Sequence, residues 1–411
     1  MTSYLKMKYQ MIDIRFLKYI LASGAIALGV HAADAQGQFS DIVRRIAADA
    51  PSYSAEQARL QANVESMRAE NVLENPEVEF ERLWSAGPAD NKWSGSLSQA
   101  FDWPGTYGAR SRAAAALATA GRFGLDETFR QLQVKAAENT LQLLAARRKV
   151  EILTEVHESM TRLRQEYDRA WQMGETTILD VNKMKIEEIR SATELEQARA
   201  EMNAVKADLI SMAPNSAAVE EAMELVDFPY VELASAGDYT AAVENAPELR
   251  YYSAIAEAEN ANVAVAKAQR LPGFSLGYVH AFEEGTHFNG LSVGVSLPVY
   301  SRRHAVAAAD QLGLAARLDL VARRVELETQ IAADYASATS LKEQIARFSP
   351  LVEGVNNMAL LRKALDGGEL SLLDYLQETN YFLRARLDCL ALLRDYTLLA
   401  FRLNSYTAPA M

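Results

Sequence analysis

Two aspartates, Asp180 and Asp374, occupy equivalent places in a short motif that occurs twice in the chain. The copies read Gly-Glu-Thr-Thr-Ile-Leu-Asp from Gly174 and Gly-Glu-Leu-Ser-Leu-Leu-Asp from Gly368. A hydroxyl residue three positions before a carboxylate is typical of a helix N-terminus, where the hydroxyl caps the helix and the carboxylate interacts with its positive end. Each copy opens with a glycine, Gly174 or Gly368, and glycine is the usual residue in the left-handed conformation that ends a preceding helix. The motif therefore predicts two helix-turn-helix units, each with a carboxylate at its turn.

The other residues capable of chemistry are dispersed along the chain. Outside the N-terminal region the histidines are His157, His280, His287 and His304, and Cys389 is the single cysteine. None of them shows the spacing of a metal site, and one cysteine cannot form a disulfide within the chain. The sequence contains no nucleophile with a neighbouring base and no phosphate-binding loop. We therefore predict no catalytic residue, no cofactor and no metal site, and a protein that is not an enzyme.

The charge and composition of the chain exclude some classes of binding partner and indicate where the protein is located. The chain has 411 residues and a formal net charge of −12, and no segment of it is strongly basic, so nucleic acid is not an expected partner. Residues 1–35 have a basic start, a short apolar run over 19–30 and a small-residue site at Ala33-Asp34-Ala35, which predicts a cleaved export signal. An uncleaved anchor is the alternative. No later segment has the roughly 18 continuous apolar residues of a membrane-spanning helix.

The whole chain is organised as two similar halves. The glycine of the turn motif recurs 194 positions later, and Pro51 and Pro76 recur as Pro247 and Pro272, each 196 positions later. Three landmarks at nearly one spacing indicate a duplicated unit. We assign 36–213 to the first repeat, 214–238 to a connecting segment with little structure of its own, and 239–411 to the second repeat.

Each repeat has the same predicted order of elements: a helix, two strands, a long helix, the tip turn and a return helix. The first long helix, over 111–173, would be about 95 Å long at 1.5 Å per residue. Apolar residues in its far part recur at alternating intervals of three and four, which is coiled-coil spacing, so the helix must pack on other helices. They are Leu153, Val156, Met160, Leu163, Tyr167 and Ala170. The predicted strands cover 76–84 and 93–103 in the first repeat, and 272–282 and 291–300 in the second.

The strands alternate apolar residues with serine and glycine. Leu291, Val293 and Val295 share one face of the last strand, and Ser292 and Gly294 share the other. Such a strand fits either a sheet over a soluble core or a membrane barrel with lipid outside and water inside. The strand length, the aromatic residues near the strand ends and the export signal favour the barrel. Four strands cannot close a barrel, so several chains must contribute to it.

Several short segments accompany the doubled turn in a characteristic order. In the first half they are Asn75-Pro76-Glu77, Leu97-Ser98-Gln99-Ala100-Phe101 and Trp103-Pro104-Gly105, and in the second half Leu271-Pro272, Ser296-Leu297-Pro298-Val299-Tyr300 and Arg302-Arg303. Taken together, these segments make the chain similar to the TolC-like outer-membrane factor family, and most similar to its CzcC/CusC heavy-metal branch. The resemblance covers nearly all of the mature chain.

The resemblance implies a fold, a location and a set of partners. The fold would be mainly α with a small β part: repeated long helical hairpins form a periplasmic tunnel, and four strands per chain contribute to a trimeric twelve-stranded barrel. The protein would be a homotrimer in bacterial outer-membrane lipid. It would be a passive exit duct for small solutes, including heavy-metal cations, and would work with a periplasmic adaptor (membrane fusion protein) and an inner-membrane RND-type pump. The alternatives are a type I protein secretion channel and a periplasmic coiled-coil adaptor without a pore.

The resemblance also places a gate at the periplasmic tip. Asp374 matches the position of the acidic constriction in the family, and Asp180 holds the equivalent place in the first copy. The second charged position of the family is Gln377 here, so the chain departs from a two-ring acidic gate. Helix capping alone is the other interpretation of both aspartates. The candidate tip and gate residues are Gly174, Glu175, Asp180, Gly368, Glu369 and Asp374.

Arginines follow the exits of the strands. Arg110 and Arg112 come after the first pair of strands, and Arg302 and Arg303 after the second. Long basic side chains at a membrane edge place their charge in water while their stems cover apolar surface. We expect that role for all four, with contact to a transported substrate as the alternative.

Overall fold

The computed structural model describes residues 29–84, 92–283, 285–298, 304–353 and 357–407, with the backbone alone at 29–35. Ten helices and one sheet of four strands are found in this part of the chain, which confirms the predicted class of a mainly helical protein with a small β part. The helices are α1 Gly29–Asp49, α2 Pro51–Ala69, α3 Pro104–Gln172, α4 Ile178–Met212, α5 Ala217–Glu224, α6 Ala236–Val243, α7 Pro247–Ala268, α8 Ala305–Glu353, α9 Asn357–Asp366 and α10 Leu372–Thr407. The strands are β1 Glu77–Leu83, β2 Lys92–Phe101, β3 Gly273–Glu283 and β4 Thr286–Ser296.

The long helices determine the length of the molecule. Helix α3 has 69 residues, or about 103 Å at 1.5 Å per residue. It packs against α7 and against α4, while α8 packs against α7 and against α10. Each long helix therefore lies beside two shorter ones. Pro51 and Pro247 begin α2 and α7 in both repeats, where the missing N–H of proline costs no hydrogen bond.

The predicted coiled-coil residues of α3 lie in the packed interior. Leu153, Met160 and Leu163 are buried, and Val156 and Tyr167 are partly buried against the same clusters. Residues from α4, α9 and α10 complete these clusters, so both hairpins share one core near their tips. Met160 and Met184 are part of this apolar core, which is the packing role typical of methionine on a helix.

The connecting segment has more structure than the sequence predicted. Ser216 caps a short helix, α5, and its hydroxyl accepts a hydrogen bond from the Ala218 N–H. Val219 and Phe228 pack into a core around the middle of α3. The segment lacks a clear helical period because its apolar residues fill gaps between longer helices. The connecting segment is therefore structured by its contacts with these longer helices and not by a helical period of its own.

Two polar side chains of α10, the buried Tyr396 and the half-buried Asn404, hold this segment in place. The Tyr396 hydroxyl donates to the Val231 carbonyl at 2.8 Å, and the Asn404 amide donates to the Glu232 carbonyl at 2.9 Å. The Tyr239 hydroxyl donates to the Asn404 side-chain oxygen. These bonds satisfy backbone groups of a segment that has no ladder of its own.

The four strands form one antiparallel sheet in the order β1-β2-β3-β4, and β2 pairs with β3 across the two repeats. The hairpins β1–β2 and β3–β4 turn at the same end of the sheet, because Trp93 lies opposite Phe282. The helices begin and end at the opposite end, where Phe101 lies opposite Phe274.

Strand β4 begins at Thr286, five residues before the predicted start at 291. The segment before Leu291 contains His287, Asn289 and Gly290, which are poor strand signals, so the sequence favoured a loop over 283–290. Pairing with β3 overrides this preference and extends the ladder to Glu283 and Thr286.

Some predicted features lie outside the described residues. They include most of the export signal at 1–35, for which backbone is described only from residue 29, together with Tyr300, Arg302 and Arg303. Within the described ranges, no helix combines the length and apolar character needed to cross a membrane.

Candidate functional site: helix-turn tips and the faces of the sheet

The two tip turns have the same backbone geometry. Gly174 and Gly368 have φ values of +77° and +70°, the left-handed conformation that the motif predicts. The Glu175 N–H donates to the Ala170 carbonyl at 2.8 Å, and the Glu369 N–H donates to the Ala364 carbonyl at 2.9 Å. Each bond closes the end of the incoming helix in a Schellman motif. Glu175 and Glu369 themselves are exposed at the turns.

Each returning helix begins with a capped carboxylate. The Thr177 hydroxyl accepts from the Asp180 N–H at 3.2 Å and donates to the Asp180 carboxylate at 2.7 Å. Ser371 makes the same two contacts with Asp374, at 3.2 and 2.5 Å. The capping interpretation of both aspartates therefore rests on observed hydrogen bonds. Capping leaves carboxylate oxygens available for other contacts.

The two aspartates differ in their electrostatic surroundings. Lys183 lies 3.0 Å from the Asp180 carboxylate. Hydrogen bonding from the Thr177 hydroxyl, and then from Lys183, lowers the pKa of Asp180. The residue equivalent to Lys183 in the second copy is Gln377. Among the ion pairs of the described residues none includes Asp374, which is exposed.

The two hairpins are joined near their tips. Arg362 on α9 forms an ion pair with Glu166 on α3 and a second one with Asp366 on its own helix. Farther from the tip, Arg386 on α10 lies 3.1 Å from Glu155 on α3. Tyr375, the residue after Asp374, is buried in the shared tip core. A displacement of the second hairpin tip would therefore separate both charged and apolar contacts.

The serine and glycine face of the sheet also carries carboxylates. On β1, Glu77, Glu79 and Glu81 lie opposite Ser98, Ser96 and Ser94 of β2. All three glutamates are exposed. The alternation Glu-Val-Glu-Phe-Glu is visible in the sequence, but only the pairing of β1 with β2 places these glutamates on the serine face.

The opposite face of the sheet is apolar and uncovered. Val78, Leu291 and Val293 are 80%, 81% and 75% exposed. In the described part of the chain, no helix packs over this face. A soluble sheet would bury such residues, because each exposed large apolar side chain forfeits about 1.5–3 kcal/mol of burial free energy.

Aromatic clusters lie near both ends of this face. Trp93 stacks on Phe282 with ring centroids 5.9 Å apart, and Trp103 contacts Phe274 with centroids 5.7 Å apart. The eight-residue interval from Phe274 to Phe282 is about 27 Å along a strand. At a tilt of about 40° this gives about 21 Å of height, close to the apolar band of a membrane barrel, about 25 Å.

Residues just after the end of β2 make polar contacts with one another. Arg110 lies 2.8 Å from the Asp102 carboxylate, and the Tyr107 hydroxyl accepts from the Asp102 N–H at 3.0 Å. Arg110 is therefore held by an ion pair at the base of the sheet. Arg112, two residues farther along α3, is exposed.

The remaining candidate residues form no large cluster. His157 lies 3.0 Å from the Ser191 hydroxyl, between α3 and α4, and Cys389 is buried in α10. The described residues contain no group of three or more His, Cys, Asp or Glu side chains arranged to hold a metal ion. His280 and His287, which are separated along the sequence, come together through the pairing of β3 with β4.

The architecture is that of known outer-membrane channels. The chain superposes on CusC, whose crystal structures concern transmembrane channel formation, with a TM-score of 0.71 at 13% identity over 91% of this chain and 92% of that one. It matches the outer membrane protein VceC of Vibrio cholerae with a TM-score of 0.72 at 16% identity, over 91% and 97% of the two chains. It matches the open-state MtrE outer membrane channel of Neisseria gonorrhoeae with a TM-score of 0.68 at 14% identity, over 90% and 89%.

No protein-family model and no curated protein sequence matches the chain. At sequence identities of 13–16%, the likeness to these structures establishes the fold. The chain has the fold of the TolC-like outer-membrane channels, and the resemblance read from its motifs is confirmed at that level.

Acid should loosen the first tip through Asp180. Its pKa is lower in the folded protein than in an unfolded chain, where it is about 3.9. The ionised carboxylate therefore stabilises the tip at pH values above about 4, and this contribution disappears as the pH falls through the lower, folded-state pKa. Hydrogen-exchange mass spectrometry should show the first turn of α4 losing protection over that acidic range. Asp180→Asn should lack this change, and an equal pH response in wild type and variant would contradict the assignment.

Proposed function

We propose that this protein is the outer-membrane exit channel of a tripartite efflux pump, a passive conduit for small solutes. The sheet would lie in the bacterial outer membrane, and the helices would extend into the periplasm. The single observation that carries the proposal is the sheet itself. It has an uncovered apolar face, an opposite face of serine, glycine and carboxylates, and two long helices below it: α3 with 69 residues and α8 with 49, or about 103 and about 74 Å.

The edges of the sheet support an oligomer. In one chain β1 and β4 each have a partner on one side alone. Unpaired backbone groups in lipid cost several kcal/mol each, so the edges must meet edges of other copies. Three copies would supply twelve strands, which lies within the range of closed membrane barrels, about 8 to 26 strands. The homotrimer is the arrangement that we adopt.

A trimer would bring the tips of three chains around one axis. The carboxylates of Asp374 would then form a ring at the narrow end of the tunnel, and no cation of its own helix turn would neutralise them. Mutual repulsion would make this ring a site for cations. Arg362, which links the second hairpin to α3, would hold the ring closed. Docking of a periplasmic adaptor, driven by an inner-membrane RND-type pump, would separate the hairpins and open it.

The carboxylates of β1 favour cations as solutes. Nine glutamates, three from each of three copies, would line the water-filled barrel. Rings of carboxylates are the usual device of cation-preferring pores. This charge agrees with heavy-metal cations as cargo, and the identity of the pump would decide which cargo is delivered.

The proposal is tested by fractionation and conductance. The mature protein should sediment with outer membranes, migrate as a heat-modifiable trimer, and conduct ions in planar bilayers. A detergent-independent monomer without conductance would exclude the channel and favour a periplasmic adaptor. Genes for an RND-type pump beside the gene for this chain would support efflux, whereas genes for an ABC exporter would point to type I protein secretion.

Neutralising the tip ring should weaken cation block. Asp374→Asn keeps the size and part of the hydrogen bonding of the side chain but removes its charge. We expect the concentration of Mg²⁺ that blocks the closed pore by half to rise at least about fivefold, which corresponds to about 1 kcal/mol. Glu369→Gln, at the other exposed carboxylate of this turn, shows whether the loss of any negative charge from the turn has the same effect. Equal block in wild type and Asp374→Asn would leave the aspartate with capping alone.

Removing the β1 carboxylates should reduce cation preference. In the triple variant Glu77→Gln, Glu79→Gln and Glu81→Gln, we expect the cation-to-anion permeability ratio to fall about twofold or more, because the local cation concentration falls with the negative potential. Reversal potentials in a salt gradient measure this ratio. The triple variant Glu220→Gln, Glu224→Gln and Glu232→Gln, placed on exposed residues around the connecting segment, is the matched control. A ratio that changes equally in both variants would contradict a lumenal position of β1.

A further inference from the structure

Two histidines meet at the hairpin end of the apolar sheet face. His280 lies on β3 and His287 on β4, diagonally across the ladder, because His280 pairs with Asn289 and His287 pairs with Phe282. The His287 Nδ1 atom lies 3.3 Å from the His280 Nε2 atom. We infer that this pair, supported by Asn289, is a binding site for a divalent transition-metal ion of the zinc type. The site is separate from the tunnel and from the tip carboxylates.

The separation of the two nitrogens suits one shared ion. Zinc binds imidazole nitrogen at about 2.0–2.1 Å with tetrahedral geometry, so two of its nitrogen ligands lie about 3.3–3.4 Å apart. The observed distance of 3.3 Å falls at this value. A small rotation of the two rings about their side-chain bonds would direct both lone pairs toward the ion. Water would complete the coordination, since the described residues offer no third ligand.

Asn289 orients the first ligand. Its side-chain oxygen lies 2.8 Å from His280 Nδ1 and 2.6 Å from the Tyr278 hydroxyl. An oxygen acceptor at this place keeps the proton of the neutral imidazole on Nδ1, so Nε2 carries the lone pair and faces His287. A hydrogen bond from the second ring nitrogen to an oxygen is the usual support of a metal-binding histidine.

The proton balance of binding is simple. Without a metal, the His287 Nδ1–H donates to His280 Nε2, which is the ordinary structural explanation of the contact. Binding requires that His287 carry its proton on Nε2 instead. Neutral imidazole exchanges between these two tautomers through water, so the ion enters with no net release of a proton.

Packed rings restrict the two ligands while leaving an open path. The Trp93 ring centroid lies 5.3 Å from that of His280, and the Phe282 centroid lies 4.9 Å from that of His287. His287 is exposed and lies opposite Phe282, at the edge of the apolar band, so an ion can reach the pair from the water beyond that edge. Arg82, a cation on the same face, lies opposite Trp93, and its guanidinium group lies over the Trp84 ring, 5.8 Å from the ring centroid.

The test is a zinc titration of the full oligomer. Isothermal titration calorimetry with Zn²⁺ is performed on protein without a histidine tag, in detergent. We expect one tight equivalent of Zn²⁺ per chain, which is lost in His280→Gln and in His287→Gln. Asn289→Ala should weaken binding about tenfold or more, because loss of an outer-shell partner has that effect on metal affinity.

The controls separate this site from general zinc binding by carboxylates. His157→Gln removes a half-buried histidine on the helices and should leave the tight equivalent unchanged. All variants should retain the elution volume of the wild-type oligomer, which shows that they are folded. The inference fails if wild type and the double variant His280→Gln/His287→Gln bind zinc equally, or if His157→Gln abolishes the tight equivalent.

Discussion

The structure depends on a sheet that one chain cannot complete. Its two outer strands each leave one row of backbone donors and acceptors without a partner, and its apolar face is covered by no helix of the described chain. In water such a surface would aggregate, and in lipid the open edges would carry a large energetic cost. If further copies of the chain pair with these edges and close a barrel in a membrane, the edges gain hydrogen-bond partners and the apolar face contacts lipid. The proposed oligomer, membrane location and enclosed channel each satisfy this constraint.

The long helices extend from one end of this sheet. Helix α3 enters directly from β2 through Trp103 and Pro104, so the position of the sheet determines where the helix begins. Its length then carries the chain about 100 Å away from the sheet. Because α4 and α10 return along this helix and share apolar cores with it, the tips are held by packing rather than by the turns alone. A gate at this end requires contacts that can separate, and the ion pair of Arg362 with Glu166 is such a contact.

Particular residues show where sequence reasoning succeeded and where it stopped. The tip turns were predictable because glycine conformation and N-capping are local properties, and the turns around Gly174 and Gly368 have the predicted geometry. The part of β4 before Leu291 was not predictable, because its residues have poor strand propensity. They adopt a strand conformation because they pair with β3. The same pairing brought His280 and His287 into contact, so no spacing rule along the sequence could find them. The helix α5 was missed for a related reason, because its order comes from the long helices around it.

The two faces of the strands, the long helices and the turns that reverse them can be predicted from the amino-acid sequence. These features depend on periodicity and on the conformational preferences of single residues, which act over a few positions. The register of the sheet, the pairing of β2 with β3, the ion pair between the hairpins and the histidine contact are visible only in the folded chain. The pairing of β2 with β3 and the ion pair join residues far apart in the sequence. The two histidines are close in sequence, but they meet only because of the register of β3 with β4.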